Sequence, residues 1–458
     1  MACPHPPATP TTICQTVSVA GPDQPDDSMR GSVHICVAAT VAGVLIGFVG
    51  AAFRWCLQTA DRLRTDLVEW THGLPGPGWL IPVAAAAAGA TLAALIVRWE
   101  PFAAGSGVQH VEAVYGGDAK PPSIRLLPAK FVGGVLSIGS GLVLGREGPT
   151  VHMGAAIGSE TARRARLPDS EVAMMQTALG GAGLAVAFNA PIGGALFTLE
   201  EVTKSFRVKT VLASLFAAAA AVTCLRLVLG NTADFDVEPI SPPALAWMPL
   251  FVVFGLLTGA LGAAYNGLTL LLLDRVSAFR RIPSLAKAAI IGGLIGLLMF
   301  SYPLGVGGGD DLTQRILGGG HLAASAVIGI LALRFVAGPL SYSAAVPGGL
   351  FAPLLAVGAL WGLLFVGLFD AVWPGDATQL AIPMALVGMA AFFGATVRAP
   401  LTGMVVVTEM TATPEVLVPM MAATVAAVLA ANLIGSKPIY DSLRERMPDA
   451  KSIEQRGQ

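Results

Sequence analysis

A chain of 458 residues with 28 Lys and Arg, 29 Asp and Glu and a hydrophobic share of 54% is too apolar for a string of soluble domains. Charged residues make up 12% of it, against about 25% in ordinary soluble proteins, and the mean hydropathy is +0.69, so the chain reads as an all-α polytopic membrane protein. A formal net charge of −1 offers no basic field to a nucleic acid, and five cysteines without a Cys-x-x-Cys, with six scattered histidines, give neither a disulfide framework nor a metal site.

Along the chain, residues 1 to 33 are polar and proline-rich and lack a cationic segment followed by an apolar core. They read as a disordered tail rather than a signal peptide. Apolar segments follow near 34–59, 78–98, 126–144, 171–199, 210–230, 285–301, 316–333, 380–397 and 416–435. Residues 239–273 and 335–369 each run 35 residues without a charge, where about 20 suffice to cross a bilayer. With 54 Gly and 32 Pro, several segments are cut short, which predicts broken or tilted helices whose freed backbone groups are buried or line a cavity. Nine charges fall within 437–458, so residues 443–458 read as a short cytoplasmic tail with no room for a regulatory domain.

Three basic clusters, Arg163/Arg164/Arg166, Lys204/Arg207/Lys209 and Arg275/Arg280/Arg281/Lys287, belong on the cytoplasmic side, and even numbers of crossings between them allow it. Residues 231–243 carry Asp234, Asp236 and Glu238 with no base and suit an external loop. An internal repeat joins the two parts of the chain. Residues 188–194 read FNAPIGG and 397–403 read VRAPLTG, and each proline, Pro191 and Pro400, is followed nine residues on by a glutamate, Glu200 and Glu409. Upstream of each lies a Gly-x-x-x-Pro: GREGP (Gly145, Arg146, Glu147, Gly148, Pro149) and GLFAP (Gly349, Leu350, Phe351, Ala352, Pro353). Two motifs in the same order predict two halves, about 34–230 and 245–442, with a site at their interface.

Proline suits the first helical position and glycine lets an ion approach the backbone, so both Gly-x-x-x-Pro motifs read as helix N-termini. Each such end carries unpaired N–H donors and roughly half a positive charge, and two aimed at one point make an anion site without Lys or Arg. Taken singly, either motif also starts an ordinary packed helix. Gly105-Ser106-Gly107 adds a hydroxyl that can face an anion, or is a turn. Glu147 stands at the helix end itself. Its carboxylate competes with an anion and its protonation vacates the site, unless it merely pairs with Arg146. Glu200 and Glu201 close an apolar segment on the basic side; the repeat mate Glu409 assigns a structural role to one and leaves the other for proton entry.

In order, GSG at 105, GREGP at 145, GLFAP at 349 and KPIY at 437 resemble the signature of the CLC family of chloride channels and proton-coupled chloride transporters, over about residues 34–442. The resemblance implies a homodimer in which each subunit has its own anion path built from two inverted halves of broken helices. It implies Ser106 and Tyr440 as hydroxyl donors to chloride, Leu350 and Phe351 as backbone N–H donors, Glu147 as external gate and Glu201 as internal proton acceptor. Serine at 106 implies chloride, where proline would imply nitrate. The chain departs from the family's GSG-Ile-Pro in reading GSGVQ, with Gln109 in place of the proline.

The expected function is exchange of chloride for protons, with no organic cofactor, no metal and no enzymatic step. The expected place is a bacterial inner membrane, with both termini cytoplasmic. A passive voltage- or proton-gated chloride channel is the alternative; it needs no internal acceptor, and Glu201 weighs against it. A membrane hydrolase would need GxSxG, HExxH or paired aspartates, none of which occurs, and a cation/proton antiporter would need converging carboxylates.

Overall fold

The structure, a computed structural model, describes residues 29–373 and 379–447. Among these residues there are seventeen α-helices and no β-strand beyond two isolated bridges, and nine helical spans are long and apolar enough to cross a membrane. In the first half, α1 is Met29–His72, α2 Leu80–Trp99, α3 Val108–Tyr115, α4 Leu126–Gly139, α5 Glu147–Arg164, α6 Asp169–Phe188, α7 Pro191–Phe197 and α8 Val208–Leu229. The second half holds α9 Met248–Ala278, α10 Ser284–Ser301, α11 Asp310–Leu317, α12 Ala324–Tyr342, α13 Phe351–Val372, α14 Ala381–Val397, α15 Pro400–Thr411, α16 Leu417–Leu433 and α17 Ile439–Arg444.

The repeated motifs are helix stops followed at once by helix starts. Asn189 closes α6 in the left-handed region at φ 52°, and Pro191 opens α7 at its first position; Arg398 closes α14 at φ 76°, and Pro400 opens α15 the same way. A left-handed residue cannot continue a helix, and a proline's missing N–H costs nothing at the new start. GREGP and GLFAP also start helices, but Pro149 and Pro353 are the third residues of α5 and α13 rather than the first. The rule still holds there, since every N–H of the first turn lacks an intrahelical acceptor.

Packing repeats along with the motifs: α5 lies on α6 as α13 lies on α14, α1 on α8 as α9 on α16, and α7 meets α15. Small residues make the seams. Gly43 and Gly47 of α1 face Ala217 and Ala221 of α8, and Gly255 and Gly259 of α9 face Ala423 and Ala427 of α16. Without a hydrophobic drive between helices in lipid, such close backbone approach supplies the packing energy.

Three boundaries differ from expectation. Helix α1 starts at Met29, inside the stretch read as tail, and runs on to His72 with charged residues on its far turns; residues 1–28, with Cys3 and Cys14, lie outside the described residues, as do 448–458. The segment expected at 316–333 is divided by the glycines 318–320 into the end of α11 and the start of α12. The charge-free run 335–369 is cut at 343–350, where Pro347, Gly348 and Gly349 end one helix and prepare the next.

Ion pairs gather in two separate regions of the molecule. Lys209–Glu171 (3.7 Å), Lys204–Asp441 (3.3 Å) and Arg446–Asp274 (3.2 Å) tie segments of the three basic clusters and α17 together at one end. Arg54–Asp234 (2.9 Å) and Arg146–Asp310 (2.7 Å) lie by the start of α5, whose 18 residues put about 27 Å between that point and Arg164.

Candidate functional site

Three helix starts, those of α3, α5 and α13, meet inside the protein, and backbone hydrogen bonds fix their separation. The Gly145 N–H donates to the Gly349 carbonyl and the Gly349 N–H returns the bond, both at 2.8 Å. The Gly105 N–H donates to the Val346 carbonyl and the Gly348 N–H to the Gly105 carbonyl, both at 3.1 Å. One loop of each pair comes from each half of the chain. The result is a rigid frame that brings three helix N-termini, each with first-turn donors that lack intrahelical acceptors, together inside the protein.

Glu147, the first residue of α5, is fully buried, and its Oε2 accepts from the Ala352 N–H in the first turn of α13 at 3.3 Å. Ser106 packs against Gly148, where a Cβ would come within 2.9 Å of the Ser106 Cβ; only a glycine admits this approach. Leu350 and Phe351 are fully buried at the α13 start, so their N–H groups sit where intrahelical acceptors are lacking. Tyr440, on the short α17, stacks on the Phe351 ring with centroids 5.5 Å apart and is fully buried rather than lying at a membrane interface. Ser106 Oγ, Tyr440 Oη and Glu147 Oε1 are buried without a hydrogen-bond partner among the described residues. Buried polar atoms are nearly always partnered, so three partnerless ones on neighbouring elements make this a candidate site.

The loop carrying Ser106 is held from several sides. Lys130, fully buried on α4, donates from Nζ to the Gly105 carbonyl at 2.6 Å and the Ser106 carbonyl at 3.1 Å. The Ser106 N–H donates to Tyr342 Oη at 3.4 Å, and the Gly107 N–H to Gln109 Oε1 at 3.2 Å. Gly107, at φ 95°, lies against the His152 ring, and His152 in turn meets His110 across a 2.8 Å hydrogen bond between ring nitrogens. Arg146 is not the ion-pair partner of its neighbour Glu147. Its guanidinium binds Asp310 at 2.7 Å and Asp234 at 3.5 Å and donates to the Ala187 carbonyl at 2.9 Å, because adjacent residues at a helix start diverge.

The two adjacent glutamates of the first half separate cleanly. Glu200 accepts from the Leu401 N–H (3.0 Å) and the Thr402 N–H (2.7 Å), capping the start of α15. Glu409 accepts from the Ile192 N–H (3.1 Å) and the Gly193 N–H (2.8 Å), capping α7. The spacing from Pro191 to Glu200 and from Pro400 to Glu409 is thus a crossed pair of helix caps. Glu201 points elsewhere and is buried beside Glu112 of α3, near the Lys204–Asp441 pair.

Sequence reasoning missed Glu112, Lys130, Tyr342 and the structural use of Gln109. A signal existed for the first two. Each is a lone charge in an otherwise apolar stretch, which in a membrane protein merits a functional reading by default. Nothing local marked Tyr342, whose partners come from the other half.

The pattern that describes the voltage-gated chloride channel family matches residues 88–432. The H(+)/Cl(-) exchange transporter ClcA of Vibrio cholerae serotype O1 (strain ATCC 39541) is 37% identical over 426 residues, 91% of this chain and 90% of that protein. The protein of that name from Cronobacter sakazakii is 32% identical over 431 residues, 93% of this chain and 92% of that one. Among solved structures, a slow cyanobacterial Cl-/H+ antiporter superposes with a TM-score of 0.84 at 29% identity, covering 90% of this chain and 97% of that chain. A CLC-type fluoride/proton antiporter at 22% identity, with a TM-score of 0.75 over 90% and 98% of the two chains, shares the fold.

Proposed function

The chain belongs to the voltage-gated chloride channel family, and we propose that it works there as an exchanger, moving chloride in one direction across a membrane and protons in the other. The observation that carries this reading is the Glu147 carboxylate on the Ala352 N–H, beside the partnerless hydroxyls of Ser106 and Tyr440. A carboxylate on the donors of a helix start stands where an anion would bind. Chloride needs the same donors, the N–H groups of Leu350, Phe351 and Ala352 together with the two hydroxyls, so carboxylate and chloride exclude each other. Protonation removes the charge that holds the side chain there and opens the position; when chloride leaves, the acid gives up its proton and the side chain returns as the carboxylate. All the donors are neutral, so the anion is bound without being trapped.

Glu201 is the proton's entrance from the basic end, off the anion path, with Glu112 beside it; the cap that Glu200 makes on α15 favours Glu201 over its neighbour for that role. A passive channel needs no such acid, and relatives named as exchangers favour the exchanger. The basic clusters at one end support a cytoplasmic placement of that end, with α17 and the C-terminus, in a bacterial inner membrane; the segment before α1 is assigned to the same side.

The crossed caps also bear on assembly. Glu200 and Glu409 are partly exposed next to Ile192 (54% exposed) and Leu401 (46%), and carboxylates facing lipid are costly. A second copy of the chain covering this face relieves that cost and supports a homodimer, each copy with its own path made by two inverted halves.

The test is proton uptake driven by a chloride gradient in liposomes. The parent protein is expected to acidify or alkalinise the lumen against the chloride flow, and Glu147→Gln to keep chloride flux while losing proton movement. Proton pumping at the parent rate in Glu147→Gln would overturn the assignment of the gate.

A further inference from the structure

The start of α3 carries backbone donors next to the Ser106 hydroxyl, and two of them are occupied by side chains. The Gly107 N–H is taken by Gln109 Oε1 at 3.2 Å, and the Ser106 N–H by Tyr342 Oη at 3.4 Å. A Cβ added at Gly105 would stand 3.0 Å from the Tyr342 hydroxyl and 3.7 Å from the Gln109 amide nitrogen, so both side chains close on the same side of this glycine. The two side chains therefore form one unit, Gln109 from α3 in the first half and Tyr342 from the end of α12 in the second, closed over the loop 105–107. The loop carbonyls are held separately by Lys130, so these N–H groups are free to change partner without releasing the loop. Ser106 Oγ, one residue away, remains buried and unpartnered, which marks the ligand side of this helix start.

We infer that Gln109 and Tyr342 act as a built-in neutral competitor that occupies the Ser106 and Gly107 N–H donors and lowers the affinity of the path for chloride. This rests on the assignment of Ser106 to the anion path. An anion approaching the α3 start has to displace an amide oxygen and a hydroxyl before it gains those donors, whereas the donors at α13 are contested by Glu147 alone. A proline at 109 has no side-chain acceptor, so the competitor exists here because of the glutamine. The competing explanation is an ordinary helix cap, in which a side chain near the helix start reaches back to the N-cap N–H for stability alone.

The two readings differ in sign, and full-length protein in detergent, titrated calorimetrically with sodium chloride in a chloride-free buffer, separates them. Gln109→Ala removes the competing acceptor and is expected to bind chloride about 2- to 10-fold more tightly, the range of one net hydrogen bond. Tyr342→Phe removes the second acceptor and shifts in the same direction. Gln109→Glu is close to isosteric and keeps the contact to Gly107, but strengthens the competitor with a charge; it is expected to bind chloride more weakly than the parent. Thermal midpoints are recorded for each variant. An ordinary cap predicts a lower midpoint for Gln109→Ala with chloride binding unchanged, and that result overturns the inference, as does weaker binding in both Gln109→Ala and Tyr342→Phe. If Gln109→Ala does not fold, the sign of the change in Gln109→Glu still decides. Chloride binding in the parent without the expected order overturns this inference alone; no chloride binding in the parent or any variant overturns the anion path as well.

Discussion

Glu147 has no solvent exposure, one backbone donor on Oε2 and none on Oε1. A carboxylate in that situation is poorly compensated when charged and poorly used when neutral, which suits a group that alternates between the two states during a cycle. Glu201 shares the burial but has a carboxyl neighbour, Glu112, instead of a backbone donor, a setting that suits sharing a proton rather than standing in for an anion. Glu201→Gln is therefore expected to stop chloride-driven proton movement while chloride still passes, since no group at the anion position is altered. Glu200→Gln, measured in the same liposomes, should keep coupling. Full coupling in Glu201→Gln with loss in Glu200→Gln would reverse the roles of the neighbours.

The helices of this protein are held by two devices that both repeat. One is the crossed cap, in which each half supplies the carboxylate that satisfies the other half's helix start. Glu409→Ala leaves the Ile192 and Gly193 donors without an acceptor, and a loss of about 1–3 kcal/mol is expected. Glu200→Ala should cost a similar amount through Leu401 and Thr402. Thermal midpoints in detergent check both, and a loss confined to one of them would show that the caps are not equivalent. The other device is the glycine seam. A Cβ at Gly43 would stand 2.5 Å from the Ala217 carbonyl oxygen, so Gly43→Val forces α1 off α8 and is expected to cost about 1–3 kcal/mol. Gly255→Val should do the same to α9 and α16, where a Cβ would stand 2.2 Å from the Ala423 carbonyl oxygen.

For the molecule as a whole, the frame at the centre exists only because loops from both halves bond to one another, and the ends are set apart by charge. Single cysteines placed in a cysteine-free background report the orientation. A cysteine at Asp236 is expected to react with an impermeant reagent from outside intact cells, and one at Arg280 only after the membrane is opened. The opposite pattern would invert the assignment of the basic end to the cytoplasm and exchange the sides from which Glu147 and Glu201 are reached.

The sequence by itself determined what acts within a few residues. Scarcity of charge places the chain in a bilayer, proline and glycine fix where helices stop and start, and a hydroxyl or acid at such a start acquires its meaning from the helix dipole beside it. Glu147 and Ser106 stand out in the sequence for that reason. What the tertiary structure decided were choices between chemically equal candidates. Glu200 and Glu201 have identical side chains, and only the arrival of the α15 start, 201 residues further on for Leu401, makes one a cap and leaves the other beside Glu112. Tyr342 and Ser106 are 236 residues apart, and no periodicity or motif spans that distance. Hydropathy and dihedral limits are local, whereas the partner of a buried polar group is set by which backbone the fold brings within about 3 Å of it.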